Sequence, residues 1–324
     1  MPRSLGCRDD LPATLIFFLM TLQLMEDTCR NLPINDGPYV FYMNDSLKAK
    51  MIENGVLSEY YISAANYREI KTTLNFPIEH NDLLSVYSHK ADYLQNYKGV
   101  DSIIAVSDVH GQYKKYTDIL QSNGVIDSDL NWKFGKGHLV FLGDAFDRGD
   151  RVTELLWHLF ALEKQAEKAG GMVHVLIGNH EDMVISGDLR YMNEKYRKVE
   201  ELTKTKYSDL YAQNTVLGKW LRDKPVMITI NDILFVHAGI SIEMVRMKLT
   251  VKKVNKLFAD KIFGKALDPG NKNRNVGLLA SDKGPLWYRG YFEDSTFCES
   301  RLDSILTFYD SRHIVVGHTT FKNI

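Results

Sequence analysis

The stretch SIIAVSDVHGQY, residues 102–113, joins an apolar run to a polar tip in which Asp108 and His110 stand two apart, just before Gly111. A short, nearly unbroken apolar run with polar flanks fits a strand buried on both faces. Taken alone, Asp-x-His-Gly is also compatible with a turn capped by an aspartate. Four further runs repeat the arrangement: HLVFLGDAF (138–146), VHVLIGNHE (173–181), ILFVHAGI (233–240) and HIVVGHTT (313–320). Their carboxyl ends carry Asp144, then Asn179 and His180, then His237, then His318.

Helical patterns separate the first three runs. QYKKYTDILQSNG (112–124) places Tyr113, Tyr116, Ile119 and Leu120 on one face and stops at Asn123-Gly124. DRVTELLWHLFALEKQAEKAGG (150–171) turns Val152, Leu155, Leu156, Leu159, Phe160 and Leu162 toward a core and ends at a glycine pair. Successive runs begin roughly 35 residues apart, the size of a βαβ unit, and the handedness of such units makes the connected strands parallel neighbours. In an open α/β sheet, ligands bind outside the carboxyl ends of the strands, so the five tips converge. Strand side chains alternate, which puts Asp108 and His110 on one side of the chain.

Oxygen and imidazole donors without thiolate suit two divalent ions such as Mn, Fe, Zn or Co. Asp144, on the middle strand, has two oxygens with which to bridge them. Two such ions about 3.5–4 Å apart clamp the attacking and leaving oxygens of an in-line displacement, and a water shared between them is deprotonated near neutral pH. Arg148 offers a planar fork for phosphate oxygens. His180 can protonate a leaving alkoxide, with Asp147 orienting its ring. Each residue has a plainer reading. Asp147 and Asp150 suit a helix N-terminus, Arg148 a surface ion pair, and Asn179 a turn after Gly178. His138, His158, His174 and His313 lie at strand starts or on a helix and read as structural. The in-phase arrival of ligand types at five strand tips favours a site.

The 324 residues, 44% hydrophobic and 25% charged, allow one large α/β domain with additions or two smaller domains. A net charge of −1 without like-charge blocks argues against nucleic acid as the main partner. The lysines of VKKVNKLFADKIFGK (251–265) are spaced like the wet side of a helix. Cys7, Cys29 and Cys298 lack any C-x-x-C spacing and make neither a disulfide scaffold nor a zinc knuckle, leaving one disulfide open. The apolar run 11–24 is too short for a stable membrane span and suits a signal-peptide core, although Asp9 and Asp10 weaken its positive flank. Residues 1–30 are read as a signal peptide or leader, against the plainer reading of an ordinary core helix or a misassigned start, with export favoured over a cytoplasmic location. Residues 31–100 read as a β-rich extension, a hairpin of GPYVFYM (37–43) and VLSEYYISA (56–64) around a polar middle. The helical, tyrosine-rich segment 183–225 suits a cap over the strand ends or a surface excursion, and 266–283 carries loop signals.

The segments SDVHG, GDAFDRG, GNHED, VHAG and VGHT resemble, in order, the signature of the calcineurin-like metallophosphoesterases. The likeness is to the phosphoprotein-phosphatase branch, and GPLWYRG (284–290) is similar to its bacterial Shewanella-like type. It spans about residues 101–320, read as the catalytic domain 101–324. The resemblance implies an α/β fold of two mixed β-sheets packed face to face and flanked by helices, so the open sheet is only its local picture. It implies that Asp108, His110 and Asp144 hold one metal, and that Asp144, Asn179, His237 and His318 hold the other. His180 and Asp147 become the leaving-group acid pair, and Arg148, Arg289 and Asn179 contact phosphate. Two divalent ions are implied, manganese first. The implied activity is phosphoester hydrolysis, of the serine/threonine protein phosphatase or general phosphomonoesterase kind. A nucleotide or dinucleoside-polyphosphate hydrolase is the second reading. A non-catalytic metal-bound scaffold is the third, disfavoured because the ligands and His180 all stand. The expected partner is a phosphorylated substrate, and oligomeric state is left open. Ser107 replaces the family's glycine, a small-for-small change expected to be tolerated. The chain ends at FKNI, where family members continue, so a C-terminal truncation is expected.

Overall fold

The computed structural model describes residues 33–43, 46–62, 79–88, 92–93, 95–265 and 272–320. The leader reading and Cys7 and Cys29 lie outside them, as does FKNI. The N-terminal extension is a three-stranded antiparallel sheet, β1 (Asp36–Tyr42), β2 (Leu47–Glu53) and β3 (Val56–Ile62). It is larger than the expected hairpin, because LKAKMIE, read as the polar middle, is its central strand. Leu47, Ala49 and Met51 turn inward while Lys48 and Lys50 stay partly exposed, the period of two that a half-buried strand requires. Asn54 and Gly55 connect β2 to β3 with φ of 51° and 76°, both left-handed as a tight hairpin needs.

After β4 (Asn96–Tyr97) and helix α1 (His80–Ser88) before it, the chain enters the pattern the sequence announced. Strands β5 (Ile103–Val106), β6 (His138–Phe141) and β7 (Met172–Val175) pair in parallel, in that order. Helix α2 (Tyr113–Ser122) joins the first two and α3 (Val152–Ala169) the next. Helix α2 buries Tyr113, Tyr116, Thr117 and Leu120. Ile119, expected on that face, is 44% exposed. At 3.6 residues per turn it lies about 120° round the axis from Tyr113, and Thr117 takes the inward seat. Helix α3 buries all six expected residues, with Trp157 and His158 besides, and ends at left-handed Gly170.

The second sheet has the order β10 (His313–Val315), β9 (Ile233–Val236), β8 (Met227–Ile230), β4. Strands β9 and β10 are parallel, while β8 and β9 are antiparallel around Asn231-Asp232. Two sheets therefore face each other as expected, one of them wholly parallel and the other mixed. Val140, Leu142 and Leu176 from the first meet Ile228, Ile230 and Phe235 from the second in one buried layer. Leu139 and Phe141, the alternate residues of β6, turn instead to the core shared with α2 and α3. Each such side chain contributes about 1.5–3 kcal/mol of burial.

The segment 183–225 contains α4's end (α4, Asn179–Ile185), α5 (Glu194–Thr203), a 3-10 turn Tyr207–Tyr211 and α6 (Val216–Arg222). Its tyrosines are not surface decoration. Tyr196, Tyr207 and Tyr211 are fully buried, and the last two pack edge-on against Phe146. Tyr39 of β1 meets Tyr211 in the same way, and the Tyr42 N–H donates to the Asn214 carbonyl at 2.8 Å. The insertion is thus wedged between the N-terminal sheet and the first βαβ layer. Within 266–283, expected as loop, Arg274–Leu279 form a short helix capped by the Asn273 side chain. Residues 266–271 lie outside the described set. Among the described residues, no helix is long and apolar enough to cross a membrane.

Candidate metal centre and active site

Beyond the ends of β5 and β6 the backbones continue to pair. The Asp108, His110 and Gly111 N–H groups donate to the carbonyls of Gly143, Asp144 and Ala145 at 3.2, 2.8 and 2.9 Å. Gly111 has φ of 64°, and a Cβ there would stand 3.0 Å from the Gly149 carbonyl, so only glycine fits under this tip. The β7 tip joins through the His180 N–H, which donates to Asp144 Oδ1 at 3.0 Å. From the second sheet, the His318 N–H donates to Asp108 Oδ2 at 2.9 Å, and the Gly317 N–H to the His237 carbonyl at 2.7 Å. All five tips meet at one end of the sandwich. Six of their residues are left-handed without being glycine: Asp108, His110, Asp144, Asp147, Arg148 and His318, with φ from 48° to 69°. Such backbone costs about 1–3 kcal/mol per residue and persists where its surroundings hold it.

Two buried donor sets share Asp144: Asp144 with His237 and His318, and Asp144 with His110 and His180, the atoms of each set lying within 4.8 Å of one another. His237 Nε2 is 2.9 Å from Asn179 Oδ1, 3.2 Å from His318 Nδ1 and 3.3 Å from Asp144 Oδ2. Donor atoms about 2.1 Å from one ion stand ~3.4 Å apart in a tetrahedral shell, which these spacings approach. The tautomers suit the role. His237 Nδ1 and His110 Nδ1 each donate to a backbone carbonyl, of Leu142 and Phe146, both at 2.8 Å, leaving Nε2 to face inward. Asn179 turns its Nδ2 to the Met183 sulfur, so its oxygen faces His237. Asp108 is in neither tight set. Its Oδ2 accepts from the Ser107 hydroxyl at 2.5 Å as well as from the His318 N–H, which places it beside the set that contains His237 and His318.

The electrostatics of this cage call for positive charge. Burial raises the Asp144 carboxyl, but His237, by charge and hydrogen bond, outweighs it and holds the group well below the usual carboxylate range. Burial opposes charge on His237, yet Asp144 pushes it up to about 9. In the metal-free protein a proton thus stands where lone pairs of four side chains converge, and a divalent cation fits the same place. His318 is held neutral, down to about 4, by burial and by its neighbours His237 and Arg289. Burial likewise lowers His110. His180 behaves differently: burial lowers it, but the Asp147 carboxylate, 2.5 Å from its Nδ1, raises it overall.

A family model for the calcineurin-like phosphoesterases matches residues 102–320, the span that contains every one of these tips. The chain belongs to this family. Its members hydrolyse phosphoester bonds, and that is the activity class of this calcineurin-like phosphoesterase. The chain is 30% identical to Shewanella-like protein phosphatase 1 of Plasmodium berghei over 76% of its own length and 67% of that relative. It is 38% identical to Shewanella-like protein phosphatase 2 of Arabidopsis thaliana over 29% of its length and 24% of that relative. Among solved structures, a cold-active protein-tyrosine phosphatase from a psychrophilic Shewanella species superposes with a TM-score of 0.79 at 39% identity, covering 88% of this chain and 85% of the other.

In this phosphoesterase Arg148 is exposed, and its charge helps to lower the His110 ring. Arg289 is half-buried, and its guanidinium donates to the His318 carbonyl at 3.2 Å, so it sits at the rim of the last tip with a partner of its own. Trp287 packs edge-on against the His318 ring. Two contributors escaped the sequence reading. Glu181, inside GNHED, is fully buried, and its carboxylate accepts from the N–H groups of Asp144, Ala145 and Gly178 at 2.7–2.8 Å. Tyr191 stands with its ring 5.4 Å from that of His180. The four histidines read as structural, His138, His158, His174 and His313, belong to neither donor set. His138 and His174 bond to each other at 2.9 Å, and His158 bonds to the Leu130 carbonyl.

Proposed function

We propose that the chain is a phosphomonoesterase that uses two divalent cations and acts on phosphorylated protein side chains. The observation that carries this reading is a pair of donor sets that share Asp144, with His180, a member of one, bonded to Asp147. The protein-phosphatase relatives support phosphoproteins as the substrate class, with phosphotyrosine included on the likeness to the Shewanella enzyme. Asp108, His110 and Asp144 would hold one ion; Asp144, Asn179, His237 and His318 the other, with manganese the first to test. Bound there, the ions would supply positive charge against the phosphate and acidify the water that attacks phosphorus. Arg148 binds the phosphate oxygens through its planar fork, with Arg289 and Asn179 completing the phosphate contacts. Asp147 fixes the His180 tautomer with Nδ1 protonated and keeps the ring charged, and Nε2 gives its proton to the leaving oxygen. No side chain takes the phosphoryl group, so the product leaves as orthophosphate without a covalent phospho-enzyme.

The test is a substrate and metal panel on chelator-treated protein. p-Nitrophenyl phosphate and phosphotyrosine or phosphoserine peptides are expected to turn over once Mn²⁺ is returned. His180→Asn is expected to lower kcat by about 10²–10⁴-fold with the fold and metal content intact. Wild-type turnover by folded His180→Asn or Asp108→Asn protein would falsify the mechanism. Preference for a dinucleoside tetraphosphate over every phosphopeptide would move the chain to the nucleotide-hydrolase reading.

A further inference from the structure

The Asp144–Asp150 loop holds two consecutive left-handed residues, Asp147 at φ 69° and Arg148 at φ 62°. L-residues resist that conformation, so contacts from elsewhere must keep it. They come from the start of the 183–225 insertion. The Arg148 N–H donates to the Tyr191 carbonyl at 3.0 Å, and the Arg148 carbonyl accepts from Asn193 Nδ2 at 2.8 Å. Both backbone polar groups of the strained arginine are thus held by residues two apart in the insertion. The same segment grips the rest of the loop. Lys195 Nζ donates to the Asp150 carbonyl at 2.6 Å, and the Tyr196 hydroxyl accepts from the Val152 N–H at 2.7 Å. Asn193 is committed at both ends, since its Oδ1 accepts the Lys195 N–H at 2.9 Å and so caps α5. A donor need on one side and an acceptor need on the other fix the orientation of its amide.

We propose that Asn193 is a positioning residue for phosphate binding: by holding the Arg148 peptide it fixes the direction in which the guanidinium leaves the loop. The inference rests on the reading of Arg148 as the phosphate-binding arginine. It gives the insertion a task that neither a lid nor a surface excursion has, that of a strut behind the phosphate site. Asn193 touches no reacting atom and acts only through Arg148.

Asn193→Asp separates this role from capping. Aspartate caps a helix as well as asparagine does, so α5 and the melting temperature should be retained. The donor to the Arg148 carbonyl is lost, and a carboxylate oxygen faces that carbonyl instead. Orthophosphate binding to the Mn²⁺-loaded protein, measured by calorimetry and as a product-inhibition constant, is expected to weaken about tenfold, the size of one misaligned charge-assisted hydrogen bond. KM for p-nitrophenyl phosphate should rise by a similar factor and kcat change less. In an Arg148→Ala background, the Asn193→Asp change should have no further effect, because the group it positions is gone. Wild-type phosphate affinity in Asn193→Asp protein, while Arg148→Ala has lost it, overturns this inference and leaves the proposed function standing. So does an equal loss in both backgrounds. Wild-type phosphate affinity in Arg148→Ala protein removes the arginine from the phosphate site, and this inference falls with it.

Discussion

At the scale of single residues, the candidate ligands were legible because their side chains have few other reasons to stand at a buried strand end. Ser107 was legible only as a departure. Its hydroxyl, 2.5 Å from Asp108 Oδ2, makes it an active support of that carboxylate, which also takes the His318 N–H. Gly317 answers it from the other sheet, since a Cβ there would run into the Ser107 hydroxyl and the Asp108 carboxylate. Ser107→Gly should therefore fold normally but bind Mn²⁺ about tenfold more weakly, in line with the loss of a bond that orients a ligand. Titration of the apo-protein with Mn²⁺ reads this directly, and an unchanged affinity would mean that the hydroxyl only fills space. Glu181 and Asn193 could not be found from residue type. Their partners are backbone groups of a distant loop, and any residue supplies those.

At the scale of elements, the five buried runs announced their strands, and α2 and α3 announced their inward faces. Strands β2 and β8 went unread although signals existed: Asn54-Gly55 for the first hairpin, and Asn231-Asp232 between MITI and ILFV for the second. What no local pattern carried was the joining of the N-terminal sheet to the insertion. Lys195 Nζ lies 2.6 Å from Asp36 Oδ2 and 3.8 Å from Glu154 Oε2, with the Asp36 side chain wholly buried. Lys195→Met leaves that carboxylate buried without its cation, and about 3–5 kcal/mol of stability should be lost in urea unfolding. Asp36→Asn added to Lys195→Met should recover part of the loss, because no uncompensated charge remains at β1. A double variant no more stable than Lys195→Met would show that the lysine acts by packing alone.

At the scale of the whole molecule, the two-layer core keeps several histidines neutral, and acid should find them. Burial pushes His158 down to about 4, and burial with the nearby charges of His138 and Lys224 pushes His174 down to about 3. The unfolded chain protonates such groups near pH 6.5, the folded one only below those values. Between them the unfolded state binds more protons, so stability is fully present above about 6.5 and falls as pH drops toward 4 and then 3, by about 1.4 kcal/mol per pH unit per histidine. Melting at pH 7.5 and pH 5 should show this loss, and His158→Gln should reduce it. An identical drop in His158→Gln protein would place the acid sensitivity elsewhere. The sequence by itself determined which side chains are candidate metal ligands and that they end buried strands, because both are written in residue type and in the period of a single run. Only the tertiary structure decided which tips come from each of the two facing sheets, that Glu181 ties the Asp144 and Gly178 backbones together, and that an insertion braces Arg148. Those depend on which distant apolar faces bury one another and on backbone hydrogen bonds open to every residue, and neither leaves a mark in local order.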